Sequence, residues 1–394
     1  MTSRERMLAA INCEPVDYAP CCFMIFAALR GRCDSDEEFV RRQVAMGLDA
    51  FVATASWASA RNPEHRDLPG IELHYPPEVE IRRWREERTD FPDVLHKEYV
   101  TPDGTLKTEV LETEDWPYPG YVPLMDDYLI TRAQRFPVNE REDLAALRWL
   151  LPGPHADDVQ AFREAAVQAK ALAAELDLIV TGGMGVGLDA GAWLCGHEEL
   201  VFHAADEPEM VDELAQIIHQ WNAARMREVL GVGVDLFVRR AWYEGTDFWS
   251  PAMFERFILP GLRREAELAQ EHGAAFGYIN TSGTMAILPH LLDAGVDVLI
   301  GVDPVQGVGT EMAAMRAAVG ERMALWGGVN GFVTVELGLD DEIRAAVTQA
   351  LDEMGPTGTI LSPVDNIRDE TDETMRRVGV MVDEWRSRTV MQSQ

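Results

Sequence analysis

The chain has 394 residues, 47% of them hydrophobic, and a formal net charge of 35 − 67 = −32. That is apolar material enough for one large domain or two ordinary ones, and the acidic balance argues against nucleic acid or an anionic membrane surface as a partner, since both need the opposite sign. Five cysteines without a CxxC pair read as reduced thiols. The N-terminus lacks the apolar core of a signal peptide, and no apolar run approaches the roughly 20 residues of a membrane span, so a cytoplasmic location is expected.

The chain begins with "SRERMLAAI" and then a first short apolar run, "YAPCCFM" (18–24). "DSDEEFVRRQVAMG" follows, a helix with an acidic start and a glycine stop. A second strand, "LDAFVAT" (48–54), precedes a long stretch that breaks the rhythm. Within it, polar-alternating runs flank "TPDGT", a hairpin signal in which Pro presets φ and Gly accepts positive φ. Residues 55–150 are therefore expected to form a β-hairpin-containing insertion between strands two and three, with its turn at Asp103-Gly104. It would serve as a lid or as the arm of a homodimer. The third strand (176–182) runs into the glycine-rich "TGGMGVG". A long helix ends at Gly231 before strand four (234–242), and a Ser-Pro start opens the helix that ends at Gly273. Strands five (274–280), six (296–303), seven (322–330) and eight (358–366) complete the set. Eight buried runs alternating with helices predict a (β/α)8 barrel over residues 1–394. A doubly wound open sheet is the alternative, but it usually carries a glycine-rich phosphate turn after its first strand, and "CCFMIFAAL" has none.

Active sites of such barrels lie at the C-terminal strand ends. The ends here carry Arg239, Arg240, Trp242, Tyr243 and Glu244 on strand four, Asn280 and Ser282 on strand five, and Asp303 on strand six. Trp326 and Asn330 follow on strand seven and Asp365 on strand eight. Any one of the polar residues also fits a turn or helix cap, and it is their recurrence that points to a pocket. Neighbours on a strand face opposite ways, so only one of Arg239 and Arg240 can face the interior. Metal-binding patterns such as HxxxH are absent, and a serine triad at Ser282 lacks a base in reach.

Several stretches resemble the uroporphyrinogen decarboxylase superfamily, in order along nearly the whole chain. They are "SRERMLAAINCEPVDYAP", "TPDGTLKT", "FPVNEREDLAALRWLL", "SPAMFERFILPGLRRE", "LLDAGVDVLIGVDP" and "LWGGVNGFVTVELGLDDEIRAAV". The resemblance implies a (β/α)8 barrel. True decarboxylases of the family carry an Arg-Gln-Ala-Gly-Arg run after the first strand. This chain has "FMIFAALRGR", with Arg30 and Arg32 nearby but not that motif. Corrinoid-associated methyltransferases and O-demethylase components, the other branch, bind zinc through His-x-Cys-Gly at strand five and a cysteine near strand eight. Here Asn280 stands for the His, Ser282 for the Cys and Asp365 for the second Cys. Zinc in proteins favours nitrogen and sulfur ligands, so no tightly bound zinc or other cofactor is expected. The resemblance then implies transfer of a methyl group from a small methylated compound, such as a methoxy-aromatic, to cobalamin on a separate corrinoid protein. In that reading Glu244 or Asp303 acts as acid, and Arg239, Asn280, Ser282, Asn330 and Asp365 line the site. Trp242, Tyr243 and Trp326 form an aromatic wall. A cofactor-independent decarboxylase or lyase, with an arginine holding the carboxylate, is the alternative; a non-catalytic ligand-binding barrel is a third.

Overall fold

A computed structural model describes residues 1–54 and 75–392. The segment 55–74 at the start of the expected insertion lies outside the described residues. Seven strands form one parallel sheet: β1 (Phe51–Ala53), β6 (Ile179–Val186), β7 (Leu236–Arg240), β8 (Ala275–Ile279), β9 (Val298–Val302), β10 (Ala324–Asn330) and β11 (Thr359–Val364), adjacent in that order. The extended segment 19–22 closes the ring. The Cys22 N–H donates to the Leu361 carbonyl at 2.9 Å, Leu361 N–H returns to Pro20 O at 2.8 Å, and Asp49 N–H reaches Cys21 O at 2.8 Å. The fold is thus a (β/α)8 barrel whose first staves are the shortest, with a single bridge at Cys21 where the sequence suggests a full strand.

Alternation along the strands sorts the core into two shells. Cys22, Ile179, Leu236, Val238, Ile279, Val298, Ile300, Trp326 and Ile360 fill the interior. Met7, Ala10 and Ile11 of the helix Ser3–Ile11 join them, so that helix is packed into one end of the barrel. The residues of opposite parity, including Phe237, Phe276, Tyr278, Leu299 and Leu325, face the helix layer. The helix signals hold locally. Ser35 Oγ accepts the Glu38 N–H at 3.1 Å at the start of Asp36–Ala45, and Gly47 follows its end at φ 76. The helix expected as one piece after Ser250 has a π-helical stretch at Phe254–Ile258 before it continues as Leu259–Glu271. Pro260 has no N–H to keep the regular ladder, and the turn ahead of it widens.

Between β1 and β6 the chain builds a separate antiparallel sheet ordered β2 (Glu80–Glu86), β3 (Val94–Thr101), β4 (Gly104–Leu111) and β5 (Ala133–Arg135). The β3–β4 turn closes with Thr101 opposite Gly104, and Gly104 sits at φ 144, a value that an L side chain rarely adopts. Tyr99 and Leu106 bury toward the outer shell of the barrel. Leu95, Val110, Trp116, Val122 and Leu129 form a smaller core of their own. Asp126 caps the helix Asp127–Arg132, accepting the Tyr128 N–H at 2.8 Å and the Tyr118 hydroxyl at 2.6 Å.

Candidate active site at the barrel mouth

Arg240 shares parity with Leu236 and Val238, so it lies on the interior face of β7 at its C-terminal end. Its Nε donates to Asp189 Oδ2 at 2.8 Å and its Nη2 to Asp127 Oδ1. The guanidinium stands 4.1 Å from the Trp242 ring centre and 4.5 Å from that of Trp193. Asp127 comes from the helix of the insertion. One of its oxygens also accepts the Tyr243 hydroxyl at 2.7 Å and Trp193 Nε1 at 3.0 Å. Asp189, fully buried, accepts the backbone N–H groups of Trp242 and Tyr243 at 3.1 and 2.8 Å. One cation between two carboxylates is thus boxed by three aromatic rings, and the box ties the insertion to the barrel. Burial opposes ionisation of Asp127, but Arg240, Tyr243 and Trp193 outweigh it and hold its pKa below the ordinary value. Burial and the neighbouring Asp127 carboxylate push the Tyr243 phenol well up, so it keeps its proton. Beside Tyr243, His197 packs edge-on at 4.5 Å between ring centres and stacks on Phe248 at 4.6 Å. Burial lowers its pKa and favours the neutral imidazole.

Arg239 faces the other way. It donates from Nη1 and Nη2 to the two oxygens of Glu244 at 2.7 and 2.9 Å, and its Nε is 2.8 Å from Glu265 Oε2, a charge contact without hydrogen-bond alignment. Glu244 has no exposed surface; it also accepts the Tyr278 hydroxyl at 2.7 Å and the Leu188 N–H at 2.6 Å. Both carboxylates belong to the layer between strand and helix. Burial lifts the Glu244 pKa against the pull of Arg239. Burial works the same way on Glu265, where Arg239, His219 and Asn222 win and lower it. Gly187 is required here: a Cβ would fall 1.6 Å from Arg239 Nη2 and 2.3 Å from Glu244 Oε1. The expectation that Arg239 binds substrate and Glu244 serves as an acid at the mouth is therefore corrected by strand parity. Arg240 holds the interior position, and Glu244 is a sealed part of the wall.

Asn280 is corrected by the same rule, and Ser282 by its place in the bend after β8. Ile279 is the interior residue at the end of β8, so Asn280 shares the outward parity of Tyr278. Fully buried, its amide donates to Ala241 O at 2.9 Å and accepts the Ser282 N–H at 3.0 Å, and Ser282 Oγ accepts the Val308 N–H at 3.0 Å. Asp303 accepts the N–H groups of Val305 and Gln306 at 2.9 and 3.1 Å and the Asn330 amide at 2.8 Å. Asn330 is fully buried and also caps Val333 N–H at 2.6 Å. These four side chains brace loops at the rim. Trp326 is interior and fully buried, its Nε1 donating to Cys22 O at 2.8 Å, so it is barrel core below the mouth. Asp365 stays half-buried at φ 61 after β11, with Oδ1 on the Asn366 N–H at 2.8 Å. Trp242 and Tyr243 are half-buried just past the C-terminal end of β7, where Trp242 and Met24 pack on the interior core.

The zinc-binding positions of the methyltransferase branch do not fit a metal here. The Asn280 amide and Ser282 hydroxyl are each engaged by backbone bonds, and neither is a preferred zinc donor. Among the described residues no cluster of three or more His, Cys, Asp or Glu side chains is arranged to hold a metal. No described helix is long and apolar enough to cross a membrane. Sequence reasoning missed Asp127, Asp189 and Trp193. Their local signals, an acidic pair before a helix, "GLDAG" and an apolar helix, are those of caps and core. Only the fold brings them to Arg240.

The sequence profile described as uroporphyrinogen decarboxylase matches residues 133–386. A solved methyltransferase from Methanosarcina mazei superposes with a TM-score of 0.60 at 16% identity, spanning 98% of this chain and 99% of that one, a likeness of fold. A B12-independent methionine synthase from Shewanella sp. W3-18-1 reaches 0.41 at 11% identity, over 58% of this chain and 67% of that one. A 3-keto-D-glucoside 4-epimerase from E. coli reaches 0.36 at 13%, over 64% and 96%. No curated protein matches the chain.

Proposed function

The chain belongs to the uroporphyrinogen decarboxylase family, and from that membership and the geometry of the mouth we propose an enzyme that transfers a methyl group from a small, uncharged methylated compound, such as a methoxy-aromatic, to a corrinoid on a partner protein. The observation that carries the substrate class is the state of the mouth's cation. Arg240 is matched by Asp127 and Asp189, so it offers no free charge for a carboxylate-rich porphyrinogen. Arg30 and Arg32, beside the first stave, are likewise paired with Asp36 and Asp372. What the mouth presents is the half-buried Trp242, packed like Met24 on the interior core, and the half-buried Tyr243 ring 5.5 Å from the Arg240 guanidinium, surfaces suited to a flat apolar ring. The likeness to a protein named a methyltransferase, over nearly the full length of both chains, supports the same reading.

A reduced corrinoid, presented by its carrier, would supply the nucleophile. The work of this chain is to hold the substrate and help the departing oxygen. Trp242 and Tyr243 clamp the arene. The Tyr243 hydroxyl, which keeps its proton and donates it to Asp127 Oδ1 in the free protein, would turn that one donation to the ether oxygen as the carbon–oxygen bond breaks, in place of Glu244 or Asp303. The test is incubation of the purified protein with a methoxy-aromatic and chemically reduced cobalamin, following both the demethylated phenol and methylcobalamin. Tyr243→Phe is expected to lower kcat/KM by about 10²-fold, with Trp242→Ala raising KM. Release of CO2 from a carboxylated pyrrole, without methyl transfer, would replace this reading with decarboxylation.

A further inference from the structure

The helix Pro208–Gly231 turns a long apolar stripe inward, and one residue in it has no apolar reason to be there. Arg225 is 6% exposed, and neither its Nε nor its Nη1 has a hydrogen-bond partner. One turn earlier Trp221 is 3% exposed, and its Nε1–H is also without an acceptor. The guanidinium lies over that indole, 4.4 Å from the ring centre. A ring face offsets part of the cation's lost hydration, about 0.5–2 kcal/mol. It takes no bond from the N–H groups in the guanidinium plane, and an unpaired buried cation costs several kcal/mol.

No ion pair reaches Arg225 among the described residues. Glu228, three residues on, pairs with Arg163, and Glu265, bonded to Asn222, pairs with Arg239 and His219. Loss of water, with no opposing charge, brings the Arg225 pKa down to about 9. Arginine holds its proton at neutral pH, so the charge remains and needs a counter-charge.

We propose that Arg225 and Trp221 form a binding site for a small monovalent inorganic anion, of which chloride is the simplest. Such an ion accepts from the orphaned N–H on the side of the guanidinium that it faces, and balances one guanidinium with one negative charge. Its small size suits a setting of packed apolar side chains, where a phosphate or larger dianion would displace the core. Asn222, the next residue after Trp221, joins Val186 N–H to Glu265, so the site adjoins the buried network behind the mouth.

The test compares thermal melts of the full chain in sodium chloride and in sodium gluconate at equal ionic strength. The wild-type melting temperature is expected to rise by several degrees with chloride and to saturate, as mass action requires. Arg225→Met should abolish that rise, and Trp221→Phe, which keeps the ring and loses the N–H, should shift it to higher chloride. Crystals soaked in sodium bromide should show an anomalous peak within hydrogen-bond reach of the Arg225 guanidinium. Equal melts in the two salts, a chloride response retained in Arg225→Met, or density at Arg225 without anomalous signal would each overturn the proposal. Trp221→Phe and the bromide soak keep it testable if Arg225→Met does not fold.

Discussion

Replacing Glu244 by Gln separates a wall residue from an acid. The carboxylate accepts four hydrogen bonds: two from Arg239, one from the Tyr278 hydroxyl and one from Leu188 N–H. A glutamine can keep its oxygen on Leu188 N–H and Arg239 Nη2. Its NH2 then faces Arg239 Nη1, two donors meeting with no acceptor between them. Breaking a buried ion pair from one side costs about 3–5 kcal/mol. Glu265 at 2.8 Å retains part of the counter-charge, so the lower end, about 3 kcal/mol, is expected. An unfolding entropy of about 2.1 cal/mol/K per residue over 394 residues gives about 0.8 kcal/mol/K, so the melt should fall by about 4 °C. Scanning calorimetry of the wild type, Glu244→Gln, Arg239→Met and the double variant measures this. The double variant should lose less than the sum of the singles, because each single leaves a buried charge unmatched. A Glu244→Gln protein that melts within about 1 °C of wild type but has lost turnover would refute the wall assignment and restore Glu244 as an acid.

Asn280→Ala should lower stability by about 1–3 kcal/mol, since it takes the Ser282 N–H's acceptor away and leaves the Ala241 carbonyl with only the Glu244 N–H at 3.2 Å. A methoxy-aromatic that shifts the wild-type melt should shift the variant's equally; a lost shift would return Asn280 to the pocket. Asp127 tests the tie between insertion and barrel. Its folded pKa is lowered, so its contribution is full above the unfolded value of about 4 and disappears only as pH falls through the lower folded value. Hydrogen exchange in the helix Asp127–Arg132, corrected for intrinsic rates, should hold steady from pH 7 to about 5 and rise below about 4. Asp127→Ala should raise it from pH 7 down to about 4 and draw level with the wild type below that, where the carboxylate is protonated; unchanged exchange in that variant at neutral pH would show that Asp127 is not the fastening.

The alternation of short buried runs with capped helices was enough to reach the (β/α)8 barrel, because the period of burial is written locally and each run ends at its own turn signal. Strand positions such as 324–330 and 359–364 fall within the runs read from sequence, and the hairpin at Asp103-Gly104 follows from two residues. Strand one did not emerge at full length, since its pairing depends on β11, which is more than 300 residues away. The site was less legible. A strand end such as "RRAW" or "INTS" shows which neighbours face opposite ways, but not which of the two sets faces inward. That choice is made when Val238 and Ile279 pack against Trp326 in the interior and Phe237 and Tyr278 pack against helices. One step of register sends Arg239 to Glu244 and Arg240 to the mouth. The mouth's second carboxylate, Asp127, arrives from 113 residues away along the chain, on a helix whose local signals are only those of a cap. The sequence by itself determined the architecture, because that rests on periodicity and turns. Only the tertiary structure decided which charges meet, because a buried cation selects its partners in space, by proximity and desolvation, and not by their distance along the chain.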